Sequence, residues 1–149
     1  MPGTQYVVFA LNKQSYGIGI SKIKEVLSYR KITPLPYIKG IVKGIINLRG
    51  IILPVFDLRE KFGLPVEDYT RFHVIIIVEM SGRVMGVIAD EILDVLEILP
   101  EDFQDSGNLP PGLREEYLLG AGRKGDEMII LLNLDRLLSS EELEQLDEV

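Results

Sequence analysis

The second half of this 149-residue chain repeats the first half. Residues 17–27 match residues 86–96 at a constant offset of 69. Residues 52–58 match residues 128–134 at an offset of 76, so the second copy carries about seven additional residues between its matched segments. A repeat of this kind predicts a tandem pair of small modules with similar structures.

Each copy contains five short runs of β-branched and aromatic residues separated by Gly, Pro, Asn or Ser, a pattern typical of β-strands. In the first copy the predicted strands are residues 5–11, 16–20, 25–34, 44–48 and 51–55. In the second copy they are residues 72–79, 83–89, 92–99, 117–122 and 128–132. Because five short strands cannot cover a core and leave their edges open at once, we expect each set to close into a small barrel.

Helix signals are few and short. Asp57 followed by Gly63 has the N-cap and the terminating glycine of a helix of little more than one turn, and residues 133–138 repeat this pattern. Ser139 with Glu142 forms a second capping box ahead of a C-terminal helix. The sequence therefore predicts a mostly β chain with short helices and one helix at its C-terminus.

Composition argues against several classes of partner. The net charge of −7 repels phosphate backbones and anionic membranes, so neither nucleic acid nor direct membrane insertion is expected. The chain has no cysteine, which leaves neither a disulfide framework nor a thiolate metal site. Residues 1–4 lack the basic and apolar regions of a signal peptide, and apolar stretches such as residues 74–78 are far shorter than the ~20 residues of a transmembrane helix. We expect a cytoplasmic protein.

The sequence offers little for catalysis. Triads, metal sites and general bases draw on His, Cys or clustered carboxylates, and this chain has a single histidine, His73, at the start of a predicted strand. Gly17-Ile18-Gly19 lacks the third glycine and the following helix of a dinucleotide-binding motif. We therefore expect no enzymatic activity, no catalytic residues, no metal and no cofactor.

Arg49 is the residue that the repeat singles out for recognition. A residue that the fold requires should recur in both copies, yet the offset of 76 places Gly125 opposite Arg49. Arg49 is expected at the tip of a turn, where residues often carry function, although a merely solvated arginine fits the same pattern. Glu25 is acidic in both copies, which is also compatible with a solvent-facing strand position. If the paired sheets bring Glu25 near Arg49, an exposed ion pair worth ~0–1 kcal/mol could order the turn.

A series of short motifs occurs in a fixed order along the chain. In the first copy they are Tyr16-Gly17-Ile18, Ile23-Lys24-Glu25-Val26, Ile32-Thr33-Pro34-Leu35-Pro36, Ile38-Lys39-Gly40, Ile45-Ile46-Asn47-Leu48-Arg49-Gly50 and Ile51-Ile52-Leu53-Pro54-Val55-Phe56-Asp57-Leu58-Arg59. In the second copy they are Met85-Gly86-Val87-Ile88-Ala89-Asp90, Asp94-Val95-Leu96, Tyr117-Leu118-Leu119-Gly120 and Ile129-Ile130-Leu131-Leu132-Asn133-Leu134. In order and spacing these motifs resemble the CheW family of chemotaxis coupling proteins, and the likeness covers nearly the whole chain.

This resemblance implies a non-enzymatic adaptor built as one CheW-like domain over residues 1–149, with two tandem five-stranded SH3-like barrels. We expect the first barrel over about residues 12–66, and the second barrel with the C-terminal helix over about residues 1–11 and 67–149. The implied partners are the regulatory domain of the histidine kinase CheA and the cytoplasmic tip helices of methyl-accepting chemoreceptors. The protein is expected to be a monomer in isolation and to be recruited to membrane-associated receptor arrays.

The resemblance also assigns residues to a receptor-binding groove between the barrels, where a receptor helix would lay its apolar face on aliphatic side chains. These residues are Ile23, Glu25, Arg49, Val74 and Val95.

A kinase-binding surface is implied at the end of the first barrel, near Ile20, Lys43 and Gly44. A second kinase contact is expected at Asn108, Leu109 and Pro110. These three residues lie in residues 103–112, where the second copy carries its additional residues, and such inserted loops are often functional.

Two other classes of function compete with the adaptor. A nucleic-acid-binding barrel would need a basic face with aromatic side chains, which the net charge of −7 and the aromatic content of 7% oppose. An enzyme would need a constellation of catalytic groups that the sequence does not supply.

Overall fold

The computed structural model describes residues 3–36, 41–105 and 116–147. The strands within these ranges are β1 (Thr4–Leu11), β2 (Gln14–Gly19), β3 (Ile23–Ser28), β4 (Val42–Leu48), β5 (Ile51–Asp57), β6 (Val74–Met80), β7 (Arg83–Ala89), β8 (Glu91–Ile98), β9 (Phe103–Asp105), β10 (Leu118–Lys124) and β11 (Glu127–Leu132). The α-helices are α1 (Leu58–Lys61) and α2 (Ser140–Asp147), and 3₁₀ turns lie at Ile20–Lys22, Pro100–Asp102 and Leu134–Arg136.

The strands form two sheets. A six-stranded sheet has the order β8-β1-β2-β11-β10-β9, and a five-stranded sheet has the order β3-β6-β7-β5-β4. The expected fold class, mostly β with two strand modules, short helices and a C-terminal helix, is confirmed. Hydrogen bonding does not close either sheet into a barrel among the described strands, so the expected closure was wrong.

The open edges are protected in another way. Three of the four edge strands carry a β-bulge, at Lys24 in β3, Lys43 in β4 and Leu93 in β8. The fourth edge strand, β9, is only three residues long. Bulges and very short strands interrupt the row of unpaired backbone groups, which explains how the sheets tolerate open edges.

Each sheet contains strands from both copies of the repeat. The hairpin β1-β2 from the first copy pairs with β8 and β11, and the hairpin β6-β7 from the second copy pairs with β3 and β5. The barrel boundaries implied by the resemblance group residues 1–11 with residues 67–149, and β1 does lie in the six-stranded sheet with β8 to β11. The same boundaries place β2 in the first barrel and β6 and β7 in the second, whereas β2 belongs to the six-stranded sheet and β6 and β7 belong to the five-stranded sheet. The physical reason is that each copy's first hairpin pairs with the later strands of the other copy.

The two sheets are related by an approximate two-fold symmetry in their registers. Gly17 of β2 pairs with Leu131 of β11, and its counterpart Gly86 of β7 pairs with Val55 of β5. A Cβ at Gly17 would lie 2.8 Å from Leu131 Cδ2, and one at Gly86 would lie 2.8 Å from Cγ2 of Ile75. At Gly17 this contact is with a strand of the other copy. At Gly86 the nearest atom belongs to β6 of its own hairpin, and Cγ2 of Val55, in β5 of the other copy, would lie 3.2 Å away. Close packing therefore favours glycine at both positions.

The central core contains side chains from both sheets. Six pairs of repeat-related residues meet in it: Phe9 and Val78, Leu11 and Met80, Tyr16 and Met85, Ile18 and Val87, Phe56 and Leu132, and Leu58 and Leu134. Each sheet also has a smaller core of its own. Leu53, Val55, Ile75 and Ile77 belong to the core of the five-stranded sheet, and Ile129, Leu131, Tyr6 and Val8 hold the matching positions in the six-stranded sheet.

One predicted strand is shorter than expected, and one strand was missed. The predicted strand over residues 25–34 ends at Ser28, and Thr33 forms an isolated bridge with Ile45 of β4. In the second copy β9 occupies the corresponding place beside β10. A Cβ at Gly44 would lie 2.2 Å from the Thr33 carbonyl oxygen, and one at Gly120 would lie 2.2 Å from that of Gln104 in β9. Glycine thus permits the same close crossing in both copies.

The predicted helix caps are confirmed. The Asp57 carboxylate accepts a hydrogen bond from the Arg59 N–H at 2.8 Å at the start of α1. At α2 the Ser139 N–H donates to Glu142 at 2.9 Å, and the Glu142 N–H donates to the Ser139 hydroxyl at 3.2 Å, which completes the capping box. Residues 133–138, predicted as a counterpart of α1, contain the 3₁₀ turn Leu134–Arg136.

Candidate partner-binding surfaces

Arg49 lies in the two-residue turn between β4 and β5 with a left-handed backbone. Its φ is 51° and that of Gly50 is 86°, and the Asn47 side chain accepts a hydrogen bond from the Gly50 N–H at 2.8 Å. A left-handed backbone costs a residue with a Cβ roughly 1–2 kcal/mol. The matching turn has Gly125 with a φ of 61°, a residue that adopts this backbone freely. Arginine is therefore kept here at a conformational cost, which favours a role for its side chain.

Glu25 and Arg49 form an ion pair. Glu25 is on β3 and Arg49 follows β4, and these strands are the two edges of the five-stranded sheet. The pair therefore joins edges that the backbone hydrogen bonds leave apart. The Arg49 side chain remains 70% exposed and that of Glu25 31% exposed, so the guanidinium is accessible to a partner.

A groove of about 450 Å³ lies beside this ion pair. Lys24, Glu25 and Arg49 supply its charged groups. Its aliphatic lining is Leu48, Ile51, Leu53, Ile77 and Val84. An apolar groove with charged groups beside it suits an amphipathic helix that buries aliphatic side chains and makes polar contacts at its margins.

The other residues expected in the receptor groove are not among the described residues that line this one. Ile23 and Val74 are partly buried and pack against the central core. Val95 lies on β8 in the six-stranded sheet and is 48% exposed. Its repeat counterpart, Val26 on β3, is 43% exposed, so each sheet presents one such valine. The structure thus brings Glu25 and Arg49 together and places the other three residues outside their groove.

Sequence reasoning missed the apolar side chains beside Arg49. It predicts Ile51 and Ile52 as ordinary strand residues, but they are 63% and 50% exposed. Adjacent strand residues point to opposite faces, so β5 presents an aliphatic side chain to solvent on each face. The available signal at Ile51 was the contrast with β11, which has Glu127 at the corresponding position. The counterpart of Ile52 is Met128, another exposed apolar residue, so the repeat gave no signal there.

The residues expected to contact the kinase have different surroundings. Ile20 is 43% exposed in the turn between β2 and β3. The Lys43 ammonium lies at the β4 bulge, 2.5 Å from the Glu60 carboxylate. Gly44 is buried beneath the Thr33 backbone, so it shapes the surface by packing rather than by exposure. Asn108, Leu109 and Pro110 lie outside the described residues.

The CheW-like domain family matches residues 5–142, which is most of the chain. The chain belongs to the CheW family. The chemotaxis protein CheW of Klebsiella aerogenes is 36% identical over 147 residues, which cover 99% of this chain and 89% of that protein. The chemotaxis protein CheW of Treponema pallidum is 34% identical, with coverage of 95% and 86%. The crystal structure of the scaffolding protein TtCheW from Thermoanaerobacter tengcongensis matches with a TM-score of 0.84 at 33% identity, covering 95% of this chain and 97% of that chain.

Membership of the CheW family confirms the resemblance found in the motifs, and the match to TtCheW confirms the SH3-like fold class. The relatives carry the names of chemotaxis and scaffolding proteins. This CheW-family chain is accordingly a chemotaxis adaptor and not an enzyme.

The structure also bears on metal sites and membrane spans in this CheW-family chain. In residues 3–36, 41–105 and 116–147, no group of three or more His, Asp or Glu side chains is placed to hold a metal ion. Within the same ranges, every helix is too short or too polar to cross a membrane. His73, just before β6, accepts a hydrogen bond on Nδ1 from the Thr70 N–H at 3.0 Å, which gives this ring a role in the local turn.

Proposed function

We propose that this chain couples the cytoplasmic tips of methyl-accepting chemoreceptors to the regulatory domain of the histidine kinase CheA. In this role it is a cytoplasmic monomer that is recruited to membrane-associated receptor arrays. Support comes from the CheW-family match and from the scaffolding name of the structural neighbour. The adaptor requires two separate surfaces, one for each partner.

The Arg49–Glu25 pair beside the aliphatic groove carries the proposal for the receptor surface. Arg49 is exposed, has a costly backbone conformation and is replaced by glycine in the other copy. A receptor helix in the groove would place aliphatic side chains against Ile51 and Leu53, and an acidic or amide side chain near Arg49. Contacts in a desolvated groove of this kind commonly supply most of the binding energy of an interface.

Ile23, Val74 and Val95 belong to the proposed receptor surface as well, and they extend it beyond the groove. Val95 is exposed and can contact a partner directly, whereas Ile23 and Val74 are partly buried at the margin of the central core. We assign these two residues a supporting role in which they set the shape of the surface. Their substitution should therefore affect stability as well as receptor binding.

The proposed kinase surface includes Ile20 and Lys43, with Gly44 packed against the Thr33 backbone beside them. An exposed isoleucine and a partly exposed lysine, whose ammonium group pairs with Glu60, are suitable contacts for a second β domain. The second proposed kinase contact is the loop containing Asn108, Leu109 and Pro110, which rests on the resemblance alone.

The receptor surface is tested by substituting Arg49 with alanine. Arg123 offers a matched control, because its ion pair with Asp102 has side chains 68% and 27% exposed, close to 70% and 31% for Arg49 and Glu25. By calorimetry, Arg49→Ala should weaken binding to receptor-tip fragments by roughly tenfold or more and leave binding to the CheA regulatory domain unchanged. Arg123→Ala should leave both unchanged. Equal loss of both partners in Arg49→Ala, with an unchanged fold, would refute the division into two surfaces.

The kinase surface is tested by replacing Ile20 with serine. Met128→Ser is the control, because Met128 is a second exposed apolar side chain, 60% exposed against 43% for Ile20. Ile20→Ser should weaken binding to the kinase domain and spare receptor-tip binding, whereas Met128→Ser should change neither. Unchanged kinase binding in Ile20→Ser would remove this residue from the proposed surface.

A further inference from the structure

The contact between the two copies of the repeat is made twice, in nearly the same way. In the six-stranded sheet, Val7 of β1 pairs with Val95 of β8. In the five-stranded sheet, the matching residues Ile76 of β6 and Val26 of β3 pair in the same register. The bulges at Leu93 and Lys24 also correspond, as does the parallel pairing at Gly17 and Gly86. The arrangement is that of an isologous dimer, in which each half presents the same surface to the other.

This contact has the character of an obligate interface. Among the described residues, the central core contains 19 buried apolar side chains, eight from the first half and eleven from residues 74–147. Phe9 and Phe56 from the first half and Met85 from the second are completely buried there. Interfaces that resemble a domain core cut in two are typical of permanent dimers.

Backbone pairing makes each half incomplete without the other. The hairpin β1-β2 has both of its outer neighbours, β8 and β11, in the second half. The hairpin β6-β7 has both of its outer neighbours, β3 and β5, in the first half. A half on its own would leave these edges unpaired and its share of the core exposed, so complementary halves should bind each other strongly.

One covalent connection, residues 62–73, joins the two halves. Pro65, Val66, Glu67 and Asp68 are all exposed within it. The segment is attached mainly to the first half, because the Leu64 N–H donates to the Arg59 carbonyl at 2.8 Å and the Tyr69 hydroxyl donates to Asp57 at 2.7 Å. The strand pairing and the central core do not depend on continuity of the chain at residues 66 and 67.

We propose that the contact between the halves is a self-sufficient binding surface whose partner is the complementary half, including that of a second copy of this chain. In the intact protein the covalent connection holds the halves at a high effective concentration, on the order of millimolar, which favours the monomer. When the connection is cut, the halves remain bound, and halves from different copies can exchange. The mechanism is that of domain swapping, with residues 62–73 as the hinge.

The experiment uses the full chain with a protease recognition sequence inserted between Val66 and Glu67 and cleaved after folding. We expect the two fragments to co-elute at the size of the uncleaved protein, with a melting temperature that rises with protein concentration. Cleaved protein with natural isotopes is then unfolded and refolded with ¹⁵N-labelled cleaved protein, and native mass spectrometry should show particles with one labelled and one unlabelled half. The uncleaved insertion variant, mixed in the same way, is the control for cleavage.

A pair of phenylalanine variants separates the interface from the connection. Phe9 is fully buried in the shared core, whereas Phe72 is 70% exposed in the connection. In the cleaved protein, Phe9→Ala should weaken association of the halves by ~100-fold or more, and Phe72→Ala should leave it unchanged. Fragments that elute separately, or that refold together without mixed particles, would overturn the proposal.

Discussion

Arg59 and Asp57 form a buried ion pair at the start of α1. Arg59 Nη2 lies 2.8 Å from Asp57 Oδ2, and Nε lies 3.2 Å from both carboxylate oxygens. The side chains are only 2% and 0% exposed. The Tyr69 hydroxyl donates to Oδ2 at 2.7 Å, so the connection between the halves is fixed to this pair. The pair therefore holds α1 and the connection together inside the protein.

Removing the cation from this pair should destabilise the fold strongly. Arg59→Met leaves the Asp57 carboxylate buried without its partner, and we expect the free energy of unfolding to fall by about 3–5 kcal/mol in urea denaturation. The control is Arg123→Met, whose exposed pair should be worth at most ~1 kcal/mol. Similar losses in the two variants would contradict the assignment of a structural role to the buried pair.

Lowering the pH should weaken the contribution of the Asp57–Arg59 pair to the stability of the fold. Burial by itself raises the pKa of Asp57, but hydrogen bonds from Arg59 and Tyr69 outweigh burial and hold the pKa below its ordinary value. A carboxyl that is more acidic in the folded chain stabilises the fold above about pH 4, and this stabilisation is lost as the pH falls further. The difference in unfolding free energy between the wild type and Arg59→Met should therefore narrow between about pH 5 and pH 2. A constant difference would contradict the lowered pKa.

Because Gly17 is closely packed and Gly19 is not, alanine substitutions of these two glycines in β2 should change the unfolding free energy differently. Gly17→Ala brings a Cβ to 2.8 Å from Leu131 Cδ2, so we expect a loss of about 1–3 kcal/mol in unfolding free energy. Gly19 is also in β2, and a Cβ there has none of the described atoms within 4 Å. Gly19→Ala should be neutral or stabilising by up to about 1 kcal/mol, because alanine restricts the unfolded chain. Equal effects in urea denaturation would argue against close packing at Gly17.

Substitutions at Arg49 should have little effect on stability if the side chain serves partner binding. Arg49→Gly relieves the left-handed backbone but removes an exposed ion pair, and we expect the unfolding free energy to change by no more than ~1 kcal/mol. Gly125→Arg places the same side chain in the matching turn, where it should destabilise the fold by roughly 1–2 kcal/mol. Thermal and urea denaturation measure both changes. A large loss in Arg49→Gly would show that the arginine serves mainly the fold.

The capping box of α2 should contribute measurably to stability. Ser139→Ala removes the acceptor for the Glu142 N–H, and we expect a loss of about 1 kcal/mol in unfolding free energy. Ser140, the exposed first residue of α2, provides the control. Ser140→Ala should change the unfolding free energy by less than ~0.5 kcal/mol. If the two substitutions change the unfolding free energy equally, the capping box does not contribute to stability.

The repeat and the strand pattern predicted the fold class because both are visible in the sequence without knowledge of which strands pair. Hairpin turns and helix caps depend on neighbouring residues, so the turn at Arg49 and the cap at Asp57 could be recognised directly. The exchange of hairpins between the copies could not, because a repeat shows which segments are equivalent but not whether equivalent segments pair within a copy or between copies. Gly17, whose missing side chain leaves room for Leu131 of the other copy, is the residue tied most directly to that exchange.

Part of the candidate site could also be predicted from the sequence. The repeat distinguished Arg49 from Gly125, and the structure joins Arg49 to Glu25 across the sheet. The exposure of Ile51 and Ile52 depends on where the sheet ends and how its edges approach each other, which no local pattern specifies. The strand β9 was missed because its three residues are too few to give a periodic pattern.

The pairing of β2 with β11 has a consequence for biosynthesis. Tyr16 has its strand partner at Ile130, so the six-stranded sheet cannot be completed until β11 has left the ribosome. Until then the hairpin β1-β2 has no neighbour beside β2, and before β8 emerges it has none beside β1 either, so its apolar faces are accessible to chaperones and to other nascent chains. Contacts this distant along the chain slow folding, so we expect synthesis of the second copy, rather than of the first, to set the pace of maturation.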